Sequence, residues 1–227
     1  MTDPSRNRLP PIGLLGGSFD PVHAGHLQLA QDAQAALGLA EVVFVPAGRP
    51  WQKDRITPAA DRMRMVERAL SGHAGWRVDD CEIARPGPSY TIETLQEWRA
   101  QIGPDRPLVW ILGFDQLRQL DTWHRWEALT QCAHLAFARR AGIAAAALPP
   151  AVRDWIAARR GTPADLRGAP NGTVIEFAMR PIDCSATQLR QAIAADQPAA
   201  TLARCLPPDV LAYIRAHGLY STQALPR

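Results

Sequence analysis

The sequence predicts an α/β fold in which helices cover both faces of a doubly wound parallel sheet. Short apolar runs alternate with amphipathic stretches of helical length along most of the 227 residues. Several of these runs have no polar interruption, as expected for strands buried on both faces, and the clearest are 12–15, 41–46 and 108–112. One α/β domain of this length is ordinary, so we expect residues 1–227 to form a single domain.

The first half of the chain predicts alternating strands and helices. Gly38 follows the first helical pattern and is expected at its C-cap. Thr57 and Pro58 suit the N-cap and the first residue of the second helix, since Thr accepts a backbone hydrogen bond and the first helical residue needs no N–H partner. The predicted strands are 12–15, 41–46 and 76–83, and the predicted helices are 24–37, 58–70 and 89–100.

The second half continues the alternation. A low-complexity segment, 142–150, is expected to be a surface connection. The predicted strands are 108–112, 133–138 and 173–177, and the predicted helices are 152–159, 185–195 and 208–217. The last two helices are expected to form a C-terminal helical part, 185–220, of the same domain. Residues 1–10 contain arginines but no apolar segment, so we expect a short flexible leader and not a signal peptide.

Composition and charge exclude several classes of protein. Apolar residues make up 47% of the chain, which excludes general disorder, and no apolar run approaches the length needed to cross a bilayer. The net charge is only +3 and the arginine pairs 139–140 and 159–160 stand apart, so no nucleic-acid or membrane partner is predicted. The cysteines are far apart and form no CxxC motif, which predicts reduced, packed residues in a cytoplasmic protein; they are Cys81, Cys132, Cys184 and Cys205.

The most informative stretch is GGSFDPVHAGHL, residues 16–27. It joins a strand, a glycine turn and a helix start, where the backbone closely approaches a ligand and the helix N-terminus attracts an anion. His23 and His26 lie on one helical turn, so the pattern predicts a phosphate site with two imidazoles. One alternative is an ordinary turn. The other is a pair of metal ligands, but no cysteine or carboxylate lies at ligand spacing and zinc-binding helices usually use an i, i+4 pair.

A second candidate anion site is CSATQLR, residues 184–190. Ser185 is expected to cap the helix that follows, and its hydroxyl and that of Thr187 would face an approaching ligand. Arg190 lies one turn further on, within reach of a phosphate. The alternative is an ordinary capped helix with a solvated arginine.

Further candidates follow the predicted strands, whose carboxyl ends open onto one edge of the sheet. Lys53 follows the second strand in a proline-rich loop, and Asp115 follows Gly113 at the end of the strand 108–112. Asp115 would either belong to the ligand-binding site at this edge or cap a short helix. Trp123 and Trp126 are three residues apart, so both would suit a helix core, a role we assign to Trp126.

Together these motifs resemble the HxGH nucleotidyltransferase superfamily, whose fold is Rossmann-like. The strings YTIETL, GFDQL, DTWHRW, LPPDVLAYIR and GLY are similar to those of bacterial nicotinate mononucleotide adenylyltransferases, in the expected order over residues 12–220. In that family the histidines bind the triphosphate and stabilise the transition state, while an S-x-T-x-[IL]-R pattern binds the triphosphate tail. Family members often carry a histidine before the lysine, where this chain has Gln52.

The resemblance implies roles for individual residues. The implied catalytic residues are His23, His26 and Lys53. The implied ATP-binding residues are Gly16, Gly17, Ser18, Phe19, His23, His26, Gly113, Asp115, Ser185, Thr187 and Arg190, with Asp115 at the ribose. The implied nicotinate-binding residues are Thr91, Trp123 and His124.

The resemblance also implies the reaction, an adenylyl transfer from ATP to nicotinate mononucleotide. The implied cofactor is Mg²⁺, held mainly by ATP phosphates and not by a dedicated protein site. Alternative acceptors are nicotinamide mononucleotide and phosphopantetheine. A non-catalytic nucleotide sensor would be expected to have lost one of the phosphate-binding residues, and this chain keeps them. The sequence carries no signal for the oligomeric state.

Overall fold

The fold is built on one seven-stranded sheet of order β3-β2-β1-β4-β5-β7-β6, and every neighbouring pair is parallel. The structure is a computed structural model that describes residues 9–50, 56–139 and 148–221. The strands are β1 Ile12–Gly17, β2 Glu41–Pro46, β3 Trp76–Val78, β4 Leu108–Gly113, β5 His134–Arg139, β6 Arg160–Gly161 and β7 Val174–Ala178. The predicted α/β class with a parallel sheet is therefore confirmed.

Helices fill most connections between the strands. They are α1 Ala24–Leu37, α2 Ala59–Ala69, α3 Cys81–Ala84, α4 Thr91–Ile102, α5 Phe114–Leu117, α6 Leu129–Cys132, α7 Pro150–Ala157, α8 Ala186–Ala194, α9 Ala199–Leu202 and α10 Pro208–Ala216. Gly38 closes α1 as predicted, with a φ of 63° that favours glycine and an N–H donated to the Gln34 carbonyl.

Two hydrophobic cores lie on opposite faces of the sheet. Successive strand residues enter different cores, as Leu14 and Leu15 of β1 do, because neighbouring side chains point to opposite faces. Helices α1, α2, α8, α9 and α10 supply the core that contains Leu15. Helices α4 to α7 supply the core that contains Leu14. Helices therefore cover both faces, and the C-terminal helices share their core with α1 and α2.

The topological switch point lies between β1 and β4. Strand β1 pairs with β2 on one side and with β4 on the other, and the strand order runs outward from there in both directions. In such sheets the connections leave toward opposite faces, which opens a crevice at the carboxyl ends of the central strands. Gly17 ends β1 and Gly113 ends β4. The two predicted nucleotide motifs that follow these glycines therefore flank the crevice.

Two local predictions were wrong, and one short strand was missed. The strand predicted for 76–83 ends at Val78 and gives way to α3, because the Asp79 carboxylate accepts the Cys81 N–H (3.0 Å) and turns the chain. Thr57 is not the N-cap of α2, which begins at Ala59 with Pro58 as N-cap. The two-residue strand β6 was not predicted, since it is too short to show a pattern and exists through pairing with β7.

The prediction that all cysteines are reduced was also wrong. Cys184 and Cys205 form a disulfide, with Cα atoms 5.6 Å apart. Helices α8 and α9 fold back on each other and bring together residues that are 21 positions apart, which spacing alone could not show. Cys81 and Cys132 are free thiols, partly buried, and burial raises the pKa of both.

Some predictions concern residues beyond the described ranges. Lys53, most of the leader 1–10 and most of the connection 142–150 belong to this group. Within the described part of the chain, none of the helices combines the length and apolar character that crossing a membrane would require.

Candidate active site

The two motif histidines form the N-terminal cap of α1. His23 is the N-cap residue, with an extended φ of −149°, and its Nδ1 accepts the Gly25 N–H (3.1 Å). His26 is the third helical residue, and its Nδ1 accepts the His23 N–H (3.2 Å). This is a reciprocal capping box in which imidazoles take the usual places of Ser or Thr and Glu. The two ring centroids lie 3.9 Å apart.

The cap determines which ring nitrogen carries a proton. Since Nδ1 of His23 and of His26 accepts a backbone hydrogen bond, a neutral ring must hold its proton on Nε2. Each neutral imidazole is therefore a donor at Nε2, with its ring oriented by the helix start. Such a pair of oriented donors suits the stabilisation of negative charge.

Residues of the turn before α1 pack against the histidine rings and the sheet. Phe19 is buried, with a φ of 49°, and its ring lies edge-on to His26 at 5.0 Å. Its side chain is thus part of the core, so any contact it makes with a nucleotide would involve the main chain. Gly16 also has a packing role, because a side chain at that position would collide with the Trp110 ring. A Cβ atom at Gly17 would lie 3.0 Å from the Phe19 ring, so that position is also closely packed.

The second motif lies at the start of α8 and is bonded to the first. Ser185 is the N-cap residue, as predicted, but its hydroxyl makes no capping hydrogen bond, so that part of the prediction was wrong. Arg190 donates from Nη1 to the Asp20 carbonyl (2.7 Å) and from Nη2 to the exposed Thr187 hydroxyl (3.3 Å). The structure therefore brings the HxGH turn and the α8 motif together, although they are far apart in the sequence.

The disulfide lies at this junction. Cys184 directly precedes Ser185, and the Cys205 carbonyl accepts the N–H of Ala24 (2.8 Å) at the start of α1. The Cys184 carbonyl lies 3.5 Å from where a side chain at Gly25 would project. The bridge therefore ties the α8 motif to the segment that contacts the start of α1.

Residues assigned to the acceptor form a second group. Thr91 is the first residue of α4, where the leading amides of a helix have no intrahelical partner. Tyr90, the N-cap residue, packs its ring against His124 at 4.6 Å. Trp123 is partly buried and donates its main-chain N–H to the Leu120 carbonyl (3.0 Å). The structure therefore brings the start of α4 and the segment 123–124 side by side.

Trp126 packs as expected of a core anchor. Its ring lies 5.3 Å from that of Trp155 on α7, and the side chain is partly buried against the core on the α4 face. Trp123 also contacts this core, so burial alone does not separate the two indoles.

Ser89 links the acceptor group to the loop after β2. Its Oγ accepts the N–H groups of Gly48 (2.9 Å) and Arg49 (3.1 Å), and its own N–H reaches the Arg49 carbonyl (3.0 Å). The loop that leads to Lys53 is thus bonded to the segment that starts α4. Sequence reasoning missed Ser89, since a lone serine before a helix gives no distinctive signal.

Asp115 follows the strand end as predicted. It lies in the first turn of α5, is exposed, and accepts a hydrogen bond from Gln116 Nε2 to Oδ2 (2.8 Å). A side chain at Gly113 would approach Asp115 Oδ1 to 2.5 Å, so the glycine leaves room for this carboxylate. The arrangement presents an exposed carboxylate at the switch-point edge.

Sequence reasoning also missed a buried polar contact beneath the site. Asp20 is 5% exposed and its Oδ1 accepts the Tyr220 hydroxyl (2.6 Å). Burial raises the pKa of Tyr220, and the nearby Asp20 carboxylate raises it further, so the hydroxyl remains a donor. The two residues are 200 positions apart, and no pattern in the sequence connects them.

The described residues contain no group of three or more His, Cys, Asp or Glu side chains that could hold a metal ion.

Most of the chain matches a known protein family. The cytidylyltransferase-like family matches residues 14–192. A relative from Laribacter hongkongensis is 42% identical and one from Pseudomonas fluorescens is 45% identical; the alignments cover 94% and 92% of this chain and 96% of each relative, and both are named probable nicotinate-nucleotide adenylyltransferase.

A solved nicotinic acid mononucleotide adenylyltransferase from Plasmodium falciparum, complexed with NaAD, has a TM-score of 0.73 at 15% identity. That alignment covers 93% of this chain and 98% of the other, and at such low identity it confirms the Rossmann-like fold alone. The two curated relatives are similar over nearly their full length, and their names agree with the family match. The chain belongs to the cytidylyltransferase-like family of nucleotidyltransferases and, within it, to the nicotinate-nucleotide adenylyltransferases.

Proposed function

We propose that this chain transfers the adenylyl group of ATP to nicotinate mononucleotide, forming nicotinate adenine dinucleotide (deamido-NAD) and pyrophosphate in NAD biosynthesis. The observation that carries the proposal is the pair of histidine rings, 3.9 Å apart, that caps α1 beside the switch point. The names of the curated relatives support the acceptor. The structures of the P. falciparum enzyme with NaAD and with APC support nucleotide substrates.

The reaction needs no protein nucleophile. The 5′-phosphate of the mononucleotide is already an anion; its oxygen forms a bond to the α-phosphorus of ATP while the bond from that phosphorus to the bridging oxygen of pyrophosphate breaks. Catalysis then consists of aligning two anions and neutralising the charge that develops. The residues around the start of α1 are of the kind that such a reaction requires.

His23 and His26 are proposed to donate from Nε2 to the phosphates at the reacting centre. Their orientation is preset by the capping hydrogen bonds to Nδ1, so little reorganisation accompanies charge development. Packing of Phe19 against His26 holds the second ring in place. Gly16, Gly17 and Ser18 are proposed to bring the backbone close to the same phosphates.

The β- and γ-phosphates are proposed to bind at the start of α8. Ser185 is its N-cap residue and Thr187 lies in its first turn, where amides and dipole favour an anion. Arg190 already contacts Thr187 and the HxGH turn, so its guanidinium is placed between the two motifs. Lys53, outside the described residues, is proposed to supply a further positive charge from the loop after β2.

The nicotinate end is proposed to bind between Thr91 and Trp123. The indole would stack on the pyridine ring, and the amides of the first turn of α4 and near His124 would meet the carboxylate. Contact between Tyr90 and His124 joins the two sides of this pocket. Asp115 and Gly113 are proposed to bind the ribose of ATP at the end of β4.

Mg²⁺ is the proposed cofactor, supplying further charge neutralisation on the phosphates when bound. Phosphate oxygens and water would provide its ligands. We propose a cytoplasmic site of action, where ATP and pyridine nucleotides are available.

Pyrophosphate release measured with ATP and each candidate acceptor tests the proposal. Nicotinate mononucleotide should be the best acceptor, with kcat/KM more than about tenfold above its amide, because an amide NH₂ facing a carboxylate-binding donor leaves a mismatched polar pair. Equal rates with both mononucleotides would reject acid specificity. Turnover only with phosphopantetheine would replace the acceptor, and ATP binding without turnover of any acceptor would favour a nucleotide sensor.

A further inference from the structure

Arg62 is an arginine on the buried face of an amphipathic helix. The buried residues of α2 are Arg62, Met65, Val66 and Ala69, which is the i, i+3, i+4, i+7 spacing of a helix stripe that faces a core. Its side chain is fully buried, at 0% exposure. A charged residue in such a stripe needs polar partners to offset its lost hydration, and its partners indicate what it does.

All three nitrogen groups of Arg62 donate to main-chain carbonyls. Nε reaches Thr57 (2.8 Å), in the chain just before α2, and Nη1 reaches Ser18 (2.8 Å) in the turn after β1. Nη2 reaches Gly48 (3.2 Å) in the loop after β2. One planar group therefore holds two loops that leave the sheet side by side at the switch-point edge.

The two loops are the ones that carry the proposed chemistry. Ser18 precedes the capped histidines by a few residues, and Gly48 begins the loop that leads to Lys53. The loops also touch directly, since the Ala47 N–H donates to the Gly17 carbonyl (2.9 Å). Gly48 is further held by Ser89 and has no space for a side chain because of the Glu82 carbonyl. Arg62 thus completes a rigid support behind the phosphate-binding turn.

The charge on Arg62 is retained in this setting. Burial lowers the pKa of its guanidinium, while the nearby carboxylates of Asp20 and Glu82 oppose that shift. An arginine remains protonated at neutral pH under such conditions.

We propose that Arg62 is a positioning residue that sets the register between the turn after β1 and the loop after β2, so that the two histidines and the start of that loop face the same phosphates. This inference rests on the proposed adenylyl transfer. It assigns Arg62 no contact with substrate. Its loss should lower turnover because the charge-neutralising groups no longer converge on one centre, and a displacement of about 1 Å costs up to roughly 100-fold in rate.

Arg99 provides a matched control. Its guanidinium also donates to main-chain carbonyls, those of Cys132, Gly103, Arg106 and Pro170. These partners lie before β4 and around the amino ends of β4 and β5, at the edge of the sheet opposite the site. Replacing either arginine removes hydrogen bonds to several main-chain carbonyls, but Arg62 is fully buried and anchors loops of the site, whereas Arg99 is partly buried and lies at the opposite edge.

The test compares R62K, R62Q and R99Q with the unmodified protein, all assayed well below their melting temperatures. We expect kcat to fall about 10- to 100-fold in both Arg62 variants, with KM for nicotinate mononucleotide nearly unchanged. R99Q should lower the melting temperature but keep kcat. A lysine at position 62 retains the charge yet cannot span both loops, so R62K should not rescue turnover.

Hydrogen–deuterium exchange gives a readout independent of activity. Amides in 16–20 and 46–49 should exchange faster in R62K, and those around 103–108 should exchange faster in R99Q. Unchanged exchange in 16–20 and 46–49, or activity losses in R62K that only follow the fraction of folded protein, would overturn the positioning role. If the unmodified protein turned over no acceptor, the proposed function would fail, while the exchange pattern would still decide whether Arg62 holds the two loops.

Discussion

Arg190 donates a hydrogen bond of 2.7 Å to the main-chain carbonyl of Asp20, across 170 positions of the sequence. Asp20 lies in the turn that leads to the capped histidines, and Arg190 lies in the first turns of α8. This contact joins the two motifs assigned to the triphosphate. The contact also places the Arg190 guanidinium between the two motifs. Replacing Arg190 should therefore weaken the binding of ATP more than the binding of the acceptor.

R190A should raise KM for ATP by about 10- to 100-fold, because a hydrogen bond to a charged group contributes roughly 1.5–3 kcal/mol. KM for nicotinate mononucleotide should change much less. Steady-state kinetics with each substrate varied in turn measure both values. R215A, which removes an exposed arginine from the last turn of α10, is the control for net charge and should leave both unchanged. A change confined to the mononucleotide would mean that the two half-sites are wrongly assigned.

H26A should lower kcat by about two to three powers of ten, the usual effect of removing one preorganised donor. H26Q separates catalysis from helix capping, since Gln also suits the third position of a capping box. We expect H26Q to keep the melting temperature and still lose most turnover. H73A, at an exposed histidine, is the control. Near-normal turnover in folded H26Q would show that His26 has only a structural role.

W123A should raise KM for nicotinate mononucleotide about tenfold or more and leave ATP binding almost unchanged, because stacking on an aromatic ring contributes roughly 1–3 kcal/mol. W123F keeps an aromatic face and should recover part of that affinity. W126A, which removes the neighbour of Trp155, should instead lower the melting temperature. Equal effects of W123A on both substrates would identify Trp123 as a packing residue only.

Reduction of the Cys184–Cys205 disulfide should destabilise the protein by about 2–4 kcal/mol, as expected for a bridge that closes a loop of this length. Thermal unfolding with and without dithiothreitol measures the change. The double variant C184S/C205S should be destabilised without reductant and respond to it no further, whereas C81S/C132S should respond like the unmodified protein. Alkylation of all four cysteines in unreduced, unfolded protein would show that the bridge does not form.

His134 should make stability depend on pH. It is fully buried; Nε2 lies 3.0 Å from the Ala169 carbonyl, and Nδ1 accepts the Thr173 N–H (3.2 Å), so the neutral ring satisfies both partners. Burial lowers the pKa of His134 from 6.5. Below pH 6.5 the unfolded chain binds a proton that the folded protein does not.

The stabilisation from neutral His134 is therefore complete above that ordinary pKa and is lost as the pH falls toward the lowered folded-state value. Urea unfolding at a series of pH values between about 5 and 8 measures the slope. H134N, in which Oδ1 keeps an acceptor for Thr173, removes the titrating group. An unchanged slope in folded H134N would assign the pH dependence to other groups.

The alternation of apolar runs and amphipathic segments determined the fold class, because parallel strands buried on both faces and helices with one apolar stripe have different periods. Val43 and Val45 could be recognised as core residues in this way, and both are buried. The HxGH string likewise indicated a helix start, since glycine and a capping side chain act over a few residues. Boundaries that depend on single side chains, such as Asp79 ending β3, were not visible in that pattern.

Contacts between distant segments were decided only by the tertiary structure. The Cys184–Cys205 bridge and the hydrogen bonds of Asp20 to Arg190 and Tyr220 exist because helices α8 to α10 pack on the same face as α1. The burial of Arg62 on α2 and its hydrogen bonds to Ser18 and Gly48 likewise became visible only in the tertiary structure. Local patterns encode periodicity and capping, which act between neighbours in sequence, whereas the support of the site depends on which loops meet at the sheet edge.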